Sequence, residues 1–254
     1  MTKFKASTRK DLPQIAEKLK LDKEQIIDMQ AVSAVLPFRV NDYVVENLID
    51  SSDIPDDPIF QLTFPQRGML EETDYQRMRD LVVRGASETE IKLAADEIRG
   101  KLNPHPAGQM ELNVPKLDGE VVAGMQHKYQ ETVLFFPTQG QTCHAYCSYC
   151  FRWAQFIGDA DLKFASKEAE ELARYVRENP QVSSVLITGG DPMLDLEKTL
   201  EAVRQLKAAF GPDHHIHAYT SIPFDPARAV DFADAGLDEI RFHLLDGIRS
   251  QGMG

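Results

Sequence analysis

Two hydrophobic periodicities divide the chain. Over the first third, apolar residues recur every three or four positions: Leu12, Ile15 and Leu19, then Ile26, Ile27 and Met29 to Val32. That spacing gathers them on one side of a helix, so this part is expected to be helical. Asn41 stands where an N-cap would open a helix through Val44, Val45 and Leu48. Residues 49–68, IDSSDIPDDPIFQLTFPQRG, are rich in Pro, Asp and Ser and read as a loop. Ser87 and Glu90 form an S-x-x-E capping box for a helix running to about Lys101. Residues 102–124 carry three prolines and three glycines, a long connection of the kind that is usually functional or linking.

From about Glu131 the pattern changes. VLFFP reads as a strand. A helix is expected from about Lys167 to Asn179, with Ala169, Leu172, Ala173 and Val176 on one face and Pro180 as its stop. VSSVLITGG reads as a buried strand ending in glycines. Asp195 caps a second helix whose face is Leu196, Leu200, Val203 and Leu206, closed by Gly211. HIHAYTSI is a third strand, Asp225 and Pro226 open a third helix that Gly236 closes, and EIRFHLL is a fourth strand. The alternation β-α-β-α-β-α-β implies a parallel sheet with right-handed crossovers, whose functional edge is the C-terminal ends of the strands. The residues after strand one, the glycines after strand two, and Thr220 and Ser221 after strand three all fall at that edge. No internal repeat or low-complexity segment interrupts the pattern.

Composition alters this picture little. The 254 residues allow one large domain or two modest ones, and 43% hydrophobic with 27% charged is ordinary for a globular protein. A net charge of −12 argues against nucleic acid as a partner. No apolar run approaches the roughly 20 residues of a membrane helix. The start, MTKFKASTRK, has no apolar stretch behind its basic residues, so a secretory signal is not expected and a cytoplasmic location is.

The cysteines change more. All three, Cys143, Cys147 and Cys150, lie in one run, CHAYCSYC. A disulfide framework would spread an even number along the chain, whereas crowded thiols point to metal or redox chemistry. Spaced C-x3-C-x2-C, three thiolates can hold three irons of a [4Fe–4S] cluster. No fourth cysteine exists, so the fourth iron would stay open to a ligand such as the amino and carboxylate groups of an amino acid. A zinc site of three Cys with His144 or His127 is the alternative, though zinc ligands usually come in two separated pairs. After the second strand, Thr188 to Pro192 read TGGDP: two glycines permit close backbone approach, and Asp191 can accept hydrogen bonds from an ammonium group.

CHAYCSYC after the first strand of a parallel α/β unit, with TGGDP one unit later, resembles the radical S-adenosylmethionine (SAM) superfamily. Further runs resemble its lysine 2,3-aminomutase family over roughly residues 31 to 220: VLPFRVNDYVVENLI, DPIFQLTFP, LDGEVVAGMQHKYQETVLFF, CSYCFR and LITGGDPML. The resemblance implies an α/β fold, a partial (β/α) TIM-like barrel in residues 128–254. Four of an expected six strands are visible there, preceded by a helical region in residues 1–127. It implies that Cys143, Cys147 and Cys150 ligate a [4Fe–4S] cluster that reduces SAM to methionine and a 5′-deoxyadenosyl radical. Gly189, Gly190 and Asp191 would bind the SAM amino group, Tyr149 would pack near its adenine, and the Thr220 and Ser221 hydroxyls would either reach its ribose or cap the turn. Arg152 would pair with a substrate carboxylate, as a guanidinium does through two parallel hydrogen bonds. Pyridoxal phosphate (PLP) would serve migration of an amino group between adjacent carbons of an amino-acid substrate. An electron donor such as flavodoxin or ferredoxin would be a partner, with neither nucleic acid nor membrane, and a homo-oligomer is compatible with the family.

The chain also departs from the family. The lysine that carries PLP lies in a glycine-rich run beyond the last strands, whereas no lysine follows Lys207 here. RFHLLDGIR departs from the motif usual on the fourth strand, with His243 read either as its one retained element or as a core histidine. An unpaired final strand would be a liability, so the chain is expected to be the N-terminal portion of a longer protein. Two rival readings stand beside the aminomutase one: a PLP-independent radical SAM enzyme, and a non-catalytic zinc- or cluster-binding fragment.

Overall fold

The computed structural model describes residues 5–102, 108, 111–138, 141–148, 150, 152–157, 169–222 and 225–242. These fall into two compact units: a helical one drawn from Thr2–Pro104 and His144–Trp153, and a sheet-based one drawn from His105–Cys143 and Ala154–Leu244.

In the helical unit, β1 (Ala6–Thr8) pairs antiparallel with the later β2 (Arg39–Asn41). Between them run α1 (Leu12–Leu19) and α2 (Lys23–Val35), with Leu12, Ile15 and Leu19 buried as their spacing predicts. Asp22 and Gln25 form a reciprocal capping box that starts α2. Asn41 does act as a cap: its Oδ1 accepts the Val44 N–H at 2.9 Å. The turn from Val44 to Leu48 is wound wider than an α-helix, with the Ile49 N–H reaching the Val44 carbonyl. Sequence periodicity cannot see that difference, because Val44, Val45 and Leu48 are buried in either winding.

Part of the expected loop at 49–68 is helical, which corrects that reading. Helix α3 (Pro58–Thr63) begins on Asp57, whose buried carboxylate accepts the Phe60 N–H at 2.8 Å, with Pro58 in the first turn. The Asp-Pro pair that suggested a loop is the start signal of this short helix. It buries Ile59 and Phe60 and stacks Phe60 on Phe64, ring centroids 4.7 Å apart. Helices α4 (Glu72–Val83) and α5 (Glu88–Lys101) pack on α2, and the Ser87–Glu90 box opens α5 as expected. Arg99 of α5 donates to the Ala34 and Val35 carbonyls that end α2.

In the sheet unit, the hairpin β3 (Lys116–Leu117) and β4 (Glu120–Val121) turns at Asp118 and Gly119, both at positive φ. The main sheet has the order β5 (Met125–Tyr129), β6 (Thr132–Phe135), β7 (Ser184–Ile187), β8 (His215–Thr220), β9 (Glu239–Phe242). The four expected strands are present as β6 to β9, all parallel. β5 adds an antiparallel edge that the sequence pattern did not reveal. Crossover helices α6 (Ala169–Glu178), α7 (Leu196–Phe210) and α8 (Ala227–Ala235) supply Leu172, Val203, Leu206 and Phe232 to one core with Val133, Val185, Ile187, Ile216 and Ala218. Asp195 caps α7, and Gly236 ends α8 at φ 98°. The described strands thus form a mixed, mostly parallel five-stranded sheet. Among the described residues, no helix is long and apolar enough to cross a membrane.

Candidate functional site

At the C-terminal end of β7, Gly189 adopts φ 126° and Gly190 is next in the chain. A β-carbon on Gly189 would collide with the Gln141 side chain, and one on Gly190 with the Thr142 backbone. Gly189 is favoured by its positive φ and Gly190 by close approach of the Thr142 backbone, in the segment leading into Cys143. Gln141 is held there by Nε2 donating to the Pro137 carbonyl at 2.9 Å, while its buried Oε1 has no hydrogen-bond partner among the described residues. The Asp191 N–H then donates to the Thr142 carbonyl at 2.7 Å.

Asp191 is 3% exposed, and burying a carboxylate is costly unless it is hydrogen-bonded. Four donors supply those bonds. Oδ1 accepts the Thr220 hydroxyl at 2.7 Å and the Met193 N–H at 3.0 Å, and Oδ2 accepts the Ser221 N–H at 2.7 Å and its hydroxyl at 3.1 Å. Residues singled out on two different strands, Asp191, Thr220 and Ser221, thus form one network joining the ends of β7 and β8. The Asp191 carboxylate, expected to receive a ligand ammonium, is here a hub for protein donors. The signal for this was present in the sequence as a buried Asp flanked by hydroxyl residues at one sheet edge, but only the register of β7 on β8 turns it into contacts.

The rest of the cysteine loop belongs to the helical unit. The Tyr146 N–H donates to the Arg39 carbonyl on β2 at 2.8 Å. Ser148 donates its N–H to the Leu62 carbonyl at 2.7 Å and its hydroxyl to the Gln61 carbonyl at 2.9 Å. These are carbonyls in the last turn of α3, which lack partners within the helix. Asn41 Nδ2 meets His144 Nδ1 at 2.9 Å, so the residue that caps the turn at Val44 also fixes the loop. Cys147 and Cys150 share a tight turn, with the Cys150 N–H on the Cys147 carbonyl and the Trp153 N–H on that of Cys150. Cys143 falls in the sheet unit. Arg39, Asn41, Ser148 and α3 are supports that motif reading missed.

Burial pushes the Cys150 thiol above its ordinary pKa, while the Arg152 N–H and positive charge act in the opposite direction. Burial also lowers the Arg152 guanidinium to about 10, leaving a partly desolvated cation suited to an anionic partner. None of the three cysteines forms a disulfide. His127, considered as a zinc ligand, instead meets the Tyr175 hydroxyl at 2.7 Å and the Gln130 carbonyl at 3.3 Å. Tyr149 and His243 lie outside the described residues.

Residues 139–247, containing the cysteine loop and the strand ends at Gly189 and Thr220, match the family model described as the radical SAM superfamily. Over these residues the chain is similar to that superfamily. That superfamily's members carry a [4Fe–4S] cluster and SAM, and all three cysteines of this chain lie in the matched region. The donor set fits this: three thiols at C-x3-C-x2-C, with no fourth cysteine in the chain, leave one iron for SAM.

The chain is also similar to lysine 2,3-aminomutases. It is 28% identical over 190 residues to an Aquifex aeolicus protein provisionally named L-lysine 2,3-aminomutase, covering 73% of this chain and 40% of the relative. It is 35% identical over 82 residues to L-lysine 2,3-aminomutase of Bacillus subtilis, covering 32% of this chain and 17% of the relative. With that of Methanococcus maripaludis the figures are 23% over 180 residues, 71% and 33%. The chain therefore spans less than half the length of these relatives.

Proposed function

We propose that this chain cleaves SAM reductively and directs the resulting radical to an amino acid, in a 2,3-amino-group migration of the lysine 2,3-aminomutase kind. The observation that carries the reading is the three-cysteine loop, whose lead-in is seated on the Gly-Gly-Asp end of β7. Cys143, Cys147 and Cys150 would hold the cluster. Bound there, a cluster would supply the one electron that splits SAM into methionine and a 5′-deoxyadenosyl radical.

The chain's own contribution is positioning. Gly189 and Gly190 let the loop approach β7 closely, and Asp191 fixes Thr142, Thr220 and Ser221 around the same strand ends. These residues of the sheet unit would hold SAM, and Tyr149 keeps its expected role beside the adenine. Arg152 would pair with the substrate carboxylate, using a guanidinium already partly removed from water. The parallel sheet is read as part of a (β/α) barrel. PLP would serve the amino migration, with no residue of this chain assigned to it, and a flavodoxin or ferredoxin would supply the electron.

Anaerobic reconstitution with iron and sulfide tests this. The expected result is a reduced-cluster electron paramagnetic resonance signal that shifts on adding SAM, with formation of 5′-deoxyadenosine, both lost in Cys147→Ser. A protein that takes up zinc but no iron, or a cluster indifferent to SAM, overturns it. Consumption of an amino acid only when PLP is added separates the aminomutase reading from a PLP-independent one.

A further inference from the structure

A second constellation of metal-binding side chains lies on the sheet, on strand positions that the cysteine site does not use. β8 alternates: Ile216, Ala218 and Thr220 are buried, while His215, His217 and Tyr219 project from the opposite face. The parallel register sets Glu239 of β9 directly beside His217. His215, His217 and Glu239 each offer a ligand atom within 4.8 Å of the others, the one such trio found among the described residues. The trio sits at the start of β8, three to five residues before Thr220, which at the ordinary strand rise is roughly 10–17 Å from the Asp191 network.

We propose that His215, His217 and Glu239 form a site for a divalent transition-metal ion of the zinc class, which clamps β9 to β8. Two imidazoles and a carboxylate are a common zinc donor set, with a fourth position left for water or another donor. The separations suit it. His215 Nε2 and Glu239 Oε2 are 3.3 Å apart, long for a charge-assisted hydrogen bond, which prefers about 2.7–2.9 Å. Two ligands on one tetrahedral zinc with bonds near 2.0–2.1 Å stand about 3.3–3.4 Å apart.

His217 is ready to act as a ligand. Its Nδ1 is buried with no hydrogen-bond partner among the described residues, a position that costs free energy unless something fills it. Glu239 is oriented from behind: Arg241 Nε donates to Oε1 at 2.6 Å and Nη1 reaches the Tyr219 hydroxyl at 3.1 Å, while Oε2 meets His215 at 3.3 Å and takes only a long contact, 3.4 Å, from Arg241 Nη2. Fixing a metal's carboxylate through its other oxygen is a usual support for such sites. Asp238 does not compete, because its carboxylate takes the Ile216 N–H at 2.8 Å and pairs with Lys207.

Cobalt(II) added to the intact protein is the probe, since its spectrum reports the donor atoms. With Cys143, Cys147 and Cys150 alkylated so that their thiols cannot take the ion, the expected result is stoichiometric cobalt with visible d–d absorption. Affinity should fall at least ~10-fold in His217→Ala and in the near-isosteric Glu239→Gln, and should be unchanged in Cys147→Ser. Zinc should raise the Tm of the wild type but not of Glu239→Gln, whose circular dichroism reports whether it folds. No cobalt bound to the alkylated protein, affinity unaltered in folded Glu239→Gln, or no zinc-dependent rise in wild-type Tm each overturns the proposal. Failure of SAM cleavage would leave these readouts intact, so the two readings fall separately.

Discussion

The cysteine loop is held in two ways, one in each unit. Its lead-in, Gln141 and Thr142, is seated by side-chain identity: a positive-φ position that favours glycine, one that must lack a β-carbon, and one buried carboxylate with four donors. The stretch from His144 to Ser148 is seated mainly by backbone groups, with N–H donors of Tyr146 and Ser148 on carbonyls of β2 and α3, and with Asn41 on His144 and the Ser148 hydroxyl as side-chain additions. The first seat is sensitive to single substitutions, since a wrong atom cannot be absorbed in a close-packed strand end. The second survives most substitutions, because every residue but proline carries the same N–H and C=O.

The largest effect should come from Gly190→Ala. Its methyl group would meet the Thr142 backbone, which no rotamer change relieves, so the lead-in must move. A displacement of about 1 Å at a catalytic constellation costs on the order of 100-fold in rate, and 5′-deoxyadenosine formation should fall by at least that much. Activity within a few-fold of the wild type would break the idea that side-chain identity rules this seat.

Next is Asp191→Ala, which strands buried donors on Met193, Thr220 and Ser221. Each costs about 1–3 kcal/mol when left unsatisfied, so a loss of about 3 kcal/mol or more should appear in urea unfolding. Asp191→Asn should lose less, since its amide oxygen still accepts. Equal losses for the two would show that packing, not hydrogen bonding, explains the site.

In the helical unit the expected losses are smaller. Asn41→Ala removes one cap and the bond to His144, for about 1–2 kcal/mol, and should leave iron uptake largely in place because the backbone bonds remain. Complete loss of iron from a folded variant would mean that this seat, too, depends on a side chain.

The smallest effect at neutral pH is Tyr75→Phe, about 1 kcal/mol for the lost bond to Asp28. Its value lies in pH dependence. Burial first, then Asp28, raises the Tyr75 phenol to about 12, against an ordinary value near 10. The folded state thus favours the neutral phenol, and its contribution is complete below about pH 10 and is lost as pH rises through 12. Thermal melts recorded from pH 8 upward should show the wild type losing its advantage over Tyr75→Phe in that window. A constant difference would remove the assigned role of Tyr75.

Legibility in the sequence divides along similar lines. The four parallel strands and three crossover helices were legible because period-two and period-3.6 patterns end on specific breakers: Pro180, Gly211 and Gly236. Helix α3 was hidden because its start signals, Asp57 and Pro58, are also loop residues, and only the burial of Ile59 and Phe60 decides between the readings. β5 was hidden because its ladder depends on β6 lying alongside it, which MQHKY does not encode locally.

By itself the sequence determined the chemistry available: three thiols at ligand spacing without a fourth, two adjacent glycines and an aspartate at a strand end, and the helix and strand periods of the second half. Spacing and composition are local properties, so they survive without coordinates. Only the tertiary structure decided what those groups touch. The register of β7 on β8 makes Asp191 a hub for Thr220 and Ser221, that of β8 on β9 brings Glu239 to two histidines, and the last turn of α3 receives Ser148. Such contacts depend on hydrogen bonds and packing between residues far apart in the chain, and no local pattern carries that information.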